Sequence, residues 1–184
     1  MIETERLILR QWLPRDAEPF AEMNADPAVM DLPGPLTRAE SDADIAYFTD
    51  RWRADGFSWA AVERRSDGAF VGMVGLARCE MAVPFCPCVE IGWRLPRSEW
   101  GKGYASEAAL GWLEHGFAVR GLGEILAFTD VNHARSQAVM RRIGMRPDPA
   151  RDFDYPDLPE GHPLRPHVVF AIDRDGWEKS RPPG

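Results

Sequence analysis

A glycine-rich turn between an apolar segment and a helix-forming segment is the part of this sequence best suited to chemistry. Residues 89–95 read as a strand, and Gly101-Lys102-Gly103 precedes an amphipathic helix. The first N–H groups of a helix lack partners within it, and the helix dipole adds positive charge at the same end. Glycine has no Cβ, so a ligand can approach the backbone closely. The turn therefore predicts an anion site, typically for phosphate.

Two nucleotide-binding motifs can be tested against this turn. The P-loop string of two glycines followed by lysine and serine or threonine is absent. The dinucleotide fingerprint would need a third glycine where Ser106 stands, and it belongs between parallel strands early in a domain. An antiparallel hairpin comes first here. The turn therefore favours a protein that binds another phosphate-bearing ligand over a nucleotide-dependent oxidoreductase.

The elements that must position this turn alternate between strands and helices. Residues 57–63 and 70–76, joined by the turn 65–68, predict an antiparallel hairpin. Thr37 with Glu40 three residues later predicts a capped helix. The remaining elements are a strand at 89–95, a helix from Gly103 to about Gly121, a strand at 125–131, a helix at 134–143 and a strand at 167–172. This order indicates a mixed α/β (α+β) fold.

Length and composition limit the class of protein. With 184 residues, we expect one domain over residues 1–178 and a loose tail over 179–184. The net charge is −7 without a basic block, which argues against a nucleic-acid partner. No run approaches the roughly 18 apolar residues of a membrane helix, and the N-terminus does not resemble a secretory signal. We therefore expect a cytoplasmic protein without a membrane partner.

The three cysteines, Cys79, Cys86 and Cys88, are too few and odd in number for a disulfide framework. Cys86-Pro87-Cys88 could supply two thiolates to a metal, but no second pair with zinc-site spacing follows. The sequence favours ordinary thiols in a hairpin or loop, and we expect no metal.

At the glycine turn the residues match a family. Trp100-Gly101-Lys102-Gly103-Tyr104-Ala105 resembles the Gln/Arg-x-x-Gly-x-Gly/Ala loop of the GNAT N-acetyltransferases, with tryptophan at the first position. Residues 4–10 and 136–145 are similar to the Rim-type branch, whose best-known members acetylate ribosomal-protein N-termini. The resemblance implies a GNAT-like acyl-CoA N-acyltransferase fold. Its central twisted sheet is mostly antiparallel and flanked by helices, with splayed strands around 89–95 and 124–131.

The resemblance also implies where acetyl-CoA binds. Backbone N–H groups of the glycine turn would hold its pyrophosphate, and the strand before the turn would pair with its pantetheine arm. His133 takes the slot of a family asparagine that binds pantetheine, while Asn132 stands one residue early, so either could make that contact. The full set expected to contact acetyl-CoA is Ile91, Trp93, Leu95, Gly101, Lys102, Gly103, Tyr104, Ala105, Ser106, Asn132, His133, Ser136 and Arg141.

Acetyl transfer by direct attack needs no nucleophile on the enzyme. Glu90, at the start of its strand, is the best candidate for a general base; it could instead be an exposed strand-edge carboxylate. His162 or His167 could also serve as the base, since histidine titrates near neutral pH. Many family members use a tyrosine as the acid, but Met140 stands at that position here. The Rim-type resemblance points to Ser136 as the residue that orients the thiol, although it could merely satisfy the start of a helix.

The sequence therefore predicts an acetyl-CoA-dependent N-acetyltransferase. We expect it to acetylate a primary amine, either a protein N-terminus or a small molecule, by direct attack in a ternary complex. Because the tyrosine is absent, a non-catalytic CoA-binding module is the alternative. The sequence leaves open whether the protein forms a homodimer.

Overall fold

A computed structural model gives the structure of residues 1–30, 32 and 34–180. The chain divides into two compact units, one formed by residues 1–76 and 92–112 and the other by residues 77–91 and the described residues from 113 onward. The extent of a single domain, 1–178, stays a prediction. Lys179 and Ser180, which we assigned to a loose tail, end the final helix. Residues 181–184 of that tail lie outside the described residues.

The described residues form a mixture of strands and helices. In chain order they are β1 Ile2–Glu3, β2 Leu7–Arg10, α1 Ala17–Ala25, α2 Arg38–Asp55, β3 Trp59–Arg64, β4 Phe70–Cys79, β5 Cys88–Arg94, α3 Tyr104–Glu114, β6 Glu124–Asp130, α4 Ala134–Arg142, β7 Arg146–Pro147, β8 Phe153–Asp154, β9 Pro166–Asp173 and α5 Arg174–Ser180.

The first unit is built on the antiparallel strands β1 to β4, paired in sequence order. The predicted hairpin is confirmed, since Ala61 pairs with Met73 and the connecting turn lies between β3 and β4. The predicted capping box is also confirmed: Thr37 accepts a hydrogen bond from the N–H of Glu40, and the Glu40 carboxylate accepts one from the N–H of Thr37. Strands β4 and β5 contribute residues to both units.

The core of the first unit is rich in aromatic side chains. Phe20 of α1 and Phe48 of α2 are buried together with Met73 of β4. The ring of Trp12 packs edge-on against Phe20, with centroids 4.6 Å apart. Its indole N–H donates to the carbonyl of Trp59 at 2.9 Å, so the buried polar atom is satisfied. These contacts bury the apolar faces of two helices against the sheet.

The second unit carries the order β5-β6-β9-β7, with β8 also paired to β9. Strands β5 and β6 are parallel and register at Glu90 with Leu126, a short ladder that fits the predicted splay. Strands β6 and β9 are antiparallel from Glu124 to Asp130. The described pairs β1–β2, β2–β3, β3–β4, β6–β9, β7–β9 and β8–β9 are antiparallel and β5–β6 is parallel, so the prediction of a mostly antiparallel mixed sheet is confirmed.

Helix α3 begins directly after Gly103, as predicted. Its buried face carries Ala108, Ala109 and Trp112, and a π-helical turn at His115–Val119 extends it. Within the described residues, no helix combines the length and the apolar character that crossing a membrane requires.

Candidate functional site

The glycine turn adopts the backbone that only glycine accepts readily. Gly101 has φ +75° and Gly103 has φ +83°, both in the left-handed region. The indole N–H of Trp100 donates to the carbonyl of Leu95 at 2.8 Å and thereby ties together the segment that leads into the turn. Trp100 therefore has a structural reason to replace the glutamine or arginine of the family pattern.

Five consecutive backbone N–H groups of the turn have no hydrogen-bond partner in the part of the chain that the structure describes. From Gly101 to Ala105, the backbone N–H groups donate no hydrogen bond to any described residue, whereas the N–H of Glu107 donates to the carbonyl of Gly103 at 3.0 Å. Gly101, Lys102 and Gly103 are exposed. Unpaired donors at the positive end of α3 form a site that an anion fits. The predicted loop thus has the electrostatics of a phosphate cradle.

The side chains of the loop are paired or buried, in contrast to its unpaired backbone N–H groups. Lys102 Nζ lies 3.1 Å from a carboxylate oxygen of Glu99, so its charge is already paired within the first unit. Tyr104 is buried, with the guanidinium of Arg6 4.7 Å from its ring centroid. Ser106 is also buried. We therefore expect Tyr104 and Ser106 to contribute to anion binding through the backbone alone.

A carboxylate in the first turn of α3 ties the loop to the N-terminal segment. Glu107 accepts hydrogen bonds from the hydroxyl of Thr4 at 2.6 Å, the N–H of Arg6 at 2.8 Å and Nε of Arg6 at 2.6 Å. Arg6 also donates to the carbonyl of Lys102 at 3.1 Å. Burial alone would raise the pKa of Glu107, but these hydrogen bonds and the charge of Arg6 outweigh it and lower the pKa.

We expect the Glu107→Gln variant to be less stable than the wild type by about 1–3 kcal/mol at neutral pH, because charge-assisted hydrogen bonds are lost. A lowered pKa stabilises the folded state above the unfolded pKa of about 4.3, and this stabilisation disappears as pH falls through the folded value. The difference from wild type should therefore shrink below about pH 4. Urea unfolding across pH measures it, with Glu5→Gln, an exposed acid of the same segment, as the control.

The three strand residues predicted to line pantetheine differ in exposure. Ile91 and Leu95 are only 2% and 6% exposed, so they fill the interior. Trp93 is half-buried and keeps surface for a ligand. Of the three, Trp93 therefore remains the candidate for a side-chain contact with acetyl-CoA.

Glu90 occupies an unusual position for a carboxylate. It lies in the parallel register of β5 with β6, is half-buried, and forms no hydrogen bond or ion pair with another described residue. Burial, together with the nearby thiol of Cys79, raises the pKa of Glu90 to about 8. A carboxylate placed inside a sheet without a partner costs stability, and such groups are concentrated at functional sites.

The start of α4 holds three further predicted residues. His133 precedes the helix, and its Nδ1 lies 3.1 Å from the hydroxyl of Thr129. Asn132 is exposed, with its backbone N–H bonded to the carboxylate of Asp130. Ser136 is half-buried in the first turn. Its hydroxyl forms no hydrogen bond to the described residues, so the structure gives it no helix-capping role.

The remaining predicted contact, Arg141, has a packing role. Its guanidinium lies 5.1 Å from the ring centroid of Phe170 and 3.3 Å from the side-chain oxygen of Gln137. Met140, at the position of the family tyrosine, is 1% exposed and belongs to the core of the second unit. The residue that would be the acid in other family members is therefore an apolar core residue here.

The structure groups the predicted residues by unit. Trp93, Leu95 and the loop from Gly101 to Ser106 belong to the first unit. The second unit contains Glu90, Ile91, Asn132, His133, Ser136 and Arg141. Sequence reasoning missed Arg6 and Glu107 because more than ninety positions separate them and no local pattern joins them.

Comparison with known proteins identifies the family. The family model described as acetyltransferase (GNAT) domain matches residues 6–146. The chain belongs to the GNAT acetyltransferases. The acetyltransferase is 28% identical to the uncharacterized N-acetyltransferase YnaD of Bacillus subtilis (strain 168) over 176 residues, which cover 96% of this chain and 98% of YnaD.

Solved structures have the same fold. A GNAT-family acetyltransferase from Bacillus anthracis is similar with a TM-score of 0.78 and 26% identity, over 95% of this chain and 98% of that one. Spermidine N-acetyltransferase from Vibrio cholerae, solved with CoA and spermine, has a TM-score of 0.74 over 94% of this chain and 98% of its own. At 15% identity, that second likeness shows the fold alone. The predicted fold, a mostly antiparallel sheet flanked by helices in a mixed α/β architecture, and the predicted acetyltransferase class are confirmed.

Proposed function

We propose that this acetyltransferase moves an acetyl group from acetyl-CoA to a primary amine, on a protein N-terminus or a small molecule, by direct attack in a ternary complex. The observation that carries the proposal is the row of unpaired N–H groups from Gly101 to Ala105 at the start of α3. A GNAT domain with such a row has the means to hold a pyrophosphate.

The residues present fit acetyl-CoA. The five N–H groups supply donors to a diphosphate, and the exposed backbone of Gly101 and Gly103 leaves the ligand room. Arg6, bonded to Glu107 and to the carbonyl of Lys102, holds the loop in place. Trp93 would lie along the pantetheine arm, and Asn132 or His133 would hydrogen-bond its amides. The bound group supplies an activated acetyl thioester.

Glu90 is the proposed general base. An amine is nucleophilic only after it loses a proton. Because its pKa is raised to about 8, Glu90 is in the carboxylate form as the pH approaches and exceeds 8, and it can then accept that proton directly or through one water. The absence of any hydrogen bond to Glu90 from the described residues leaves both of its oxygens for this role. No enzyme nucleophile is required, because the amine attacks the thioester itself.

Ser136 is proposed to orient the leaving thiol. We expect Ser136→Ala to lower kcat by about tenfold or less, because a neutral hydrogen bond contributes about 1 kcal/mol. Steady-state kinetics with varied acetyl-CoA measures it. Ser98→Ala serves as the control, since Ser98 is an exposed serine outside helix α4. A loss of several hundredfold would show that Ser136 does more than orient the thiol.

The alternative is a non-catalytic CoA-binding module, which the buried Met140 in place of the tyrosine keeps open. A screen of primary amines with detection of the released thiol distinguishes the two. The proposed enzyme releases CoA only when an acceptable amine is present. A binding module binds acetyl-CoA but releases no CoA thiol with any amine. The same screen, with peptide N-termini and small polyamines in separate wells, decides between the two acceptor classes.

A further inference from the structure

Three cysteine thiols converge where β4 ends and β5 begins. Cys79 is the last residue of β4, Cys86 lies in the connecting loop and Cys88 is the first residue of β5. The sulfur of Cys86 lies 3.5 Å from that of Cys79 and 3.7 Å from that of Cys88. All three sulfur atoms lie within 4.8 Å of one another, and all three thiols are free. The β4–β5 hairpin thus assembles every cysteine of the chain at one point.

The sulfur separations match those of ligands on one metal ion. Three thiolates bound tetrahedrally to zinc, each at about 2.3 Å, have their sulfur atoms about 3.8 Å apart. A disulfide would require about 2.05 Å. The observed 3.5 and 3.7 Å exclude a bonded pair; they are hydrogen-bonding distances between thiols and also lie close to the spacing of sulfurs on a shared zinc ion.

The backbone around the thiols is ordered as a metal loop requires. The N–H of Val83 donates to the carbonyl of Met81 at 2.8 Å, and that of Cys86 donates to the carbonyl of Val83 at 3.1 Å. Met81 also makes a backbone hydrogen bond to the sulfurs of Cys79 and Cys86. Such N–H groups directed at sulfur are the usual outer shell of metal-bound thiolates.

Neighbouring aromatic rings partly shield the loop. Phe85, directly before Cys86, packs against Phe153 and Phe128 with ring centroids 5.3 and 6.4 Å apart. Cys79 is buried, whereas Cys86 and Cys88 are half-buried. The cluster is therefore fixed on its inner side and open to an entering ion on the other.

We propose that Cys79, Cys86 and Cys88 form a three-thiolate site for a soft metal ion, with Zn²⁺ as its occupant. Soft sulfur ligands select zinc or copper(I) over magnesium or calcium. Each thiol gives its proton to solvent as it binds, so occupancy releases protons. Within the described residues the cluster offers three protein ligands, and a water molecule or an added ligand completes a tetrahedral shell.

The sequence favoured ordinary thiols because it showed no second cysteine pair with zinc spacing. The hairpin supplies the missing element by bringing Cys79, seven positions before Cys86, to the same point. The thiols take no chemical step in the proposed acetyl transfer, but Cys79 lies near Glu90 and raises its pKa, so the site is tested by metal binding and not by activity.

The test uses the reduced, untagged full chain and the metal alone. We expect one Zn²⁺ per chain after gel filtration, and thiolate-to-metal charge-transfer absorption when Co²⁺ replaces it. Serine replacement of Cys79, Cys86 or Cys88 should each weaken Zn²⁺ binding by at least about tenfold and lower that absorption, because one of the three thiolates is lost. His162→Asn, which removes a potential metal ligand outside the cluster, should bind as the wild type does.

Three outcomes would overturn the site. The first is wild-type protein that binds no stoichiometric Zn²⁺ under reducing conditions. The second is a set of serine variants that bind Zn²⁺ as the wild type does. The third is Co²⁺ binding without thiolate charge transfer. Circular dichroism of each variant separates loss of metal binding from loss of the fold. If Cys79→Ser fails to fold, the double variant Cys86→Ser/Cys88→Ser, which leaves the buried Cys79 intact, provides a second measurement of Zn²⁺ binding.

Discussion

The Glu90→Gln variant should acetylate amines about 10²- to 10⁴-fold more slowly than the wild type while it binds acetyl-CoA almost equally well. Glutamine keeps the shape of glutamate but cannot accept the proton of the attacking amine. Because the Glu90 side chain has no hydrogen-bond or ion-pair partner among the described residues, the substitution breaks no such bond. The loss should therefore appear in kcat and leave the KM for acetyl-CoA almost unchanged.

Steady-state assays of CoA release measure kcat, and calorimetric titration with acetyl-CoA measures its binding separately. Glu80→Gln is a matched control, since Glu80 is an exposed carboxylate of the same hairpin. An unchanged kcat in Glu90→Gln would remove Glu90 from the mechanism. A parallel loss of kcat in Glu80→Gln would show that the effect is a general change of charge.

The Gly103→Ala variant should bind acetyl-CoA about tenfold more weakly. Gly103 has φ +83°, and an L-residue in the left-handed region costs roughly 1–2 kcal/mol. An added Cβ would lie 3.4 Å from Nη2 of Arg6, which is ordinary contact, so backbone strain and not a clash drives the effect. The strained loop is expected to relax by turning its N–H groups away from the ligand.

Gly123→Ala provides the control for this substitution. Gly123 lies outside the left-handed region and has open space where a Cβ would stand, so alanine there should change neither stability nor binding. Calorimetric titration with CoA and thermal unfolding report on both variants. Equal affinity for CoA in Gly103→Ala and wild type would mean that the loop does not hold the pyrophosphate.

Much of the fold followed from local patterns in the sequence. The capping box at Thr37 and Glu40 and the hairpin around residues 65–68 each use neighbouring residues, so their signals survive without tertiary information. The strand before Gly101 and the helix after Gly103 were predicted for the same reason. The short strands β7 and β8 were missed, because their proline- and acid-rich segment has no strand periodicity and gains its order from pairing with β9.

Local sequence patterns also predicted only part of the candidate site. The unpaired N–H groups of the glycine turn are a local property of a helix start and were predicted correctly in kind. Lys102 was predicted to contact acetyl-CoA, and its pairing with Glu99 became visible only in three dimensions. The Arg6–Glu107 anchor depends on how segments 101 positions apart pack, and the approach of Cys79 to Cys86 depends on how the chain turns between β4 and β5; no sequence pattern encodes either.

The most direct test of the account is an amine-dependent acetyl-transfer assay on the purified full chain. Acetyl-CoA is mixed with a panel of primary amines that includes peptide N-termini and polyamines, and both thiol release and the mass of each amine are recorded. The account predicts CoA release only with an accepted amine, whose mass rises by one acetyl group. Tight binding of acetyl-CoA with no acetylated product from any amine would contradict it.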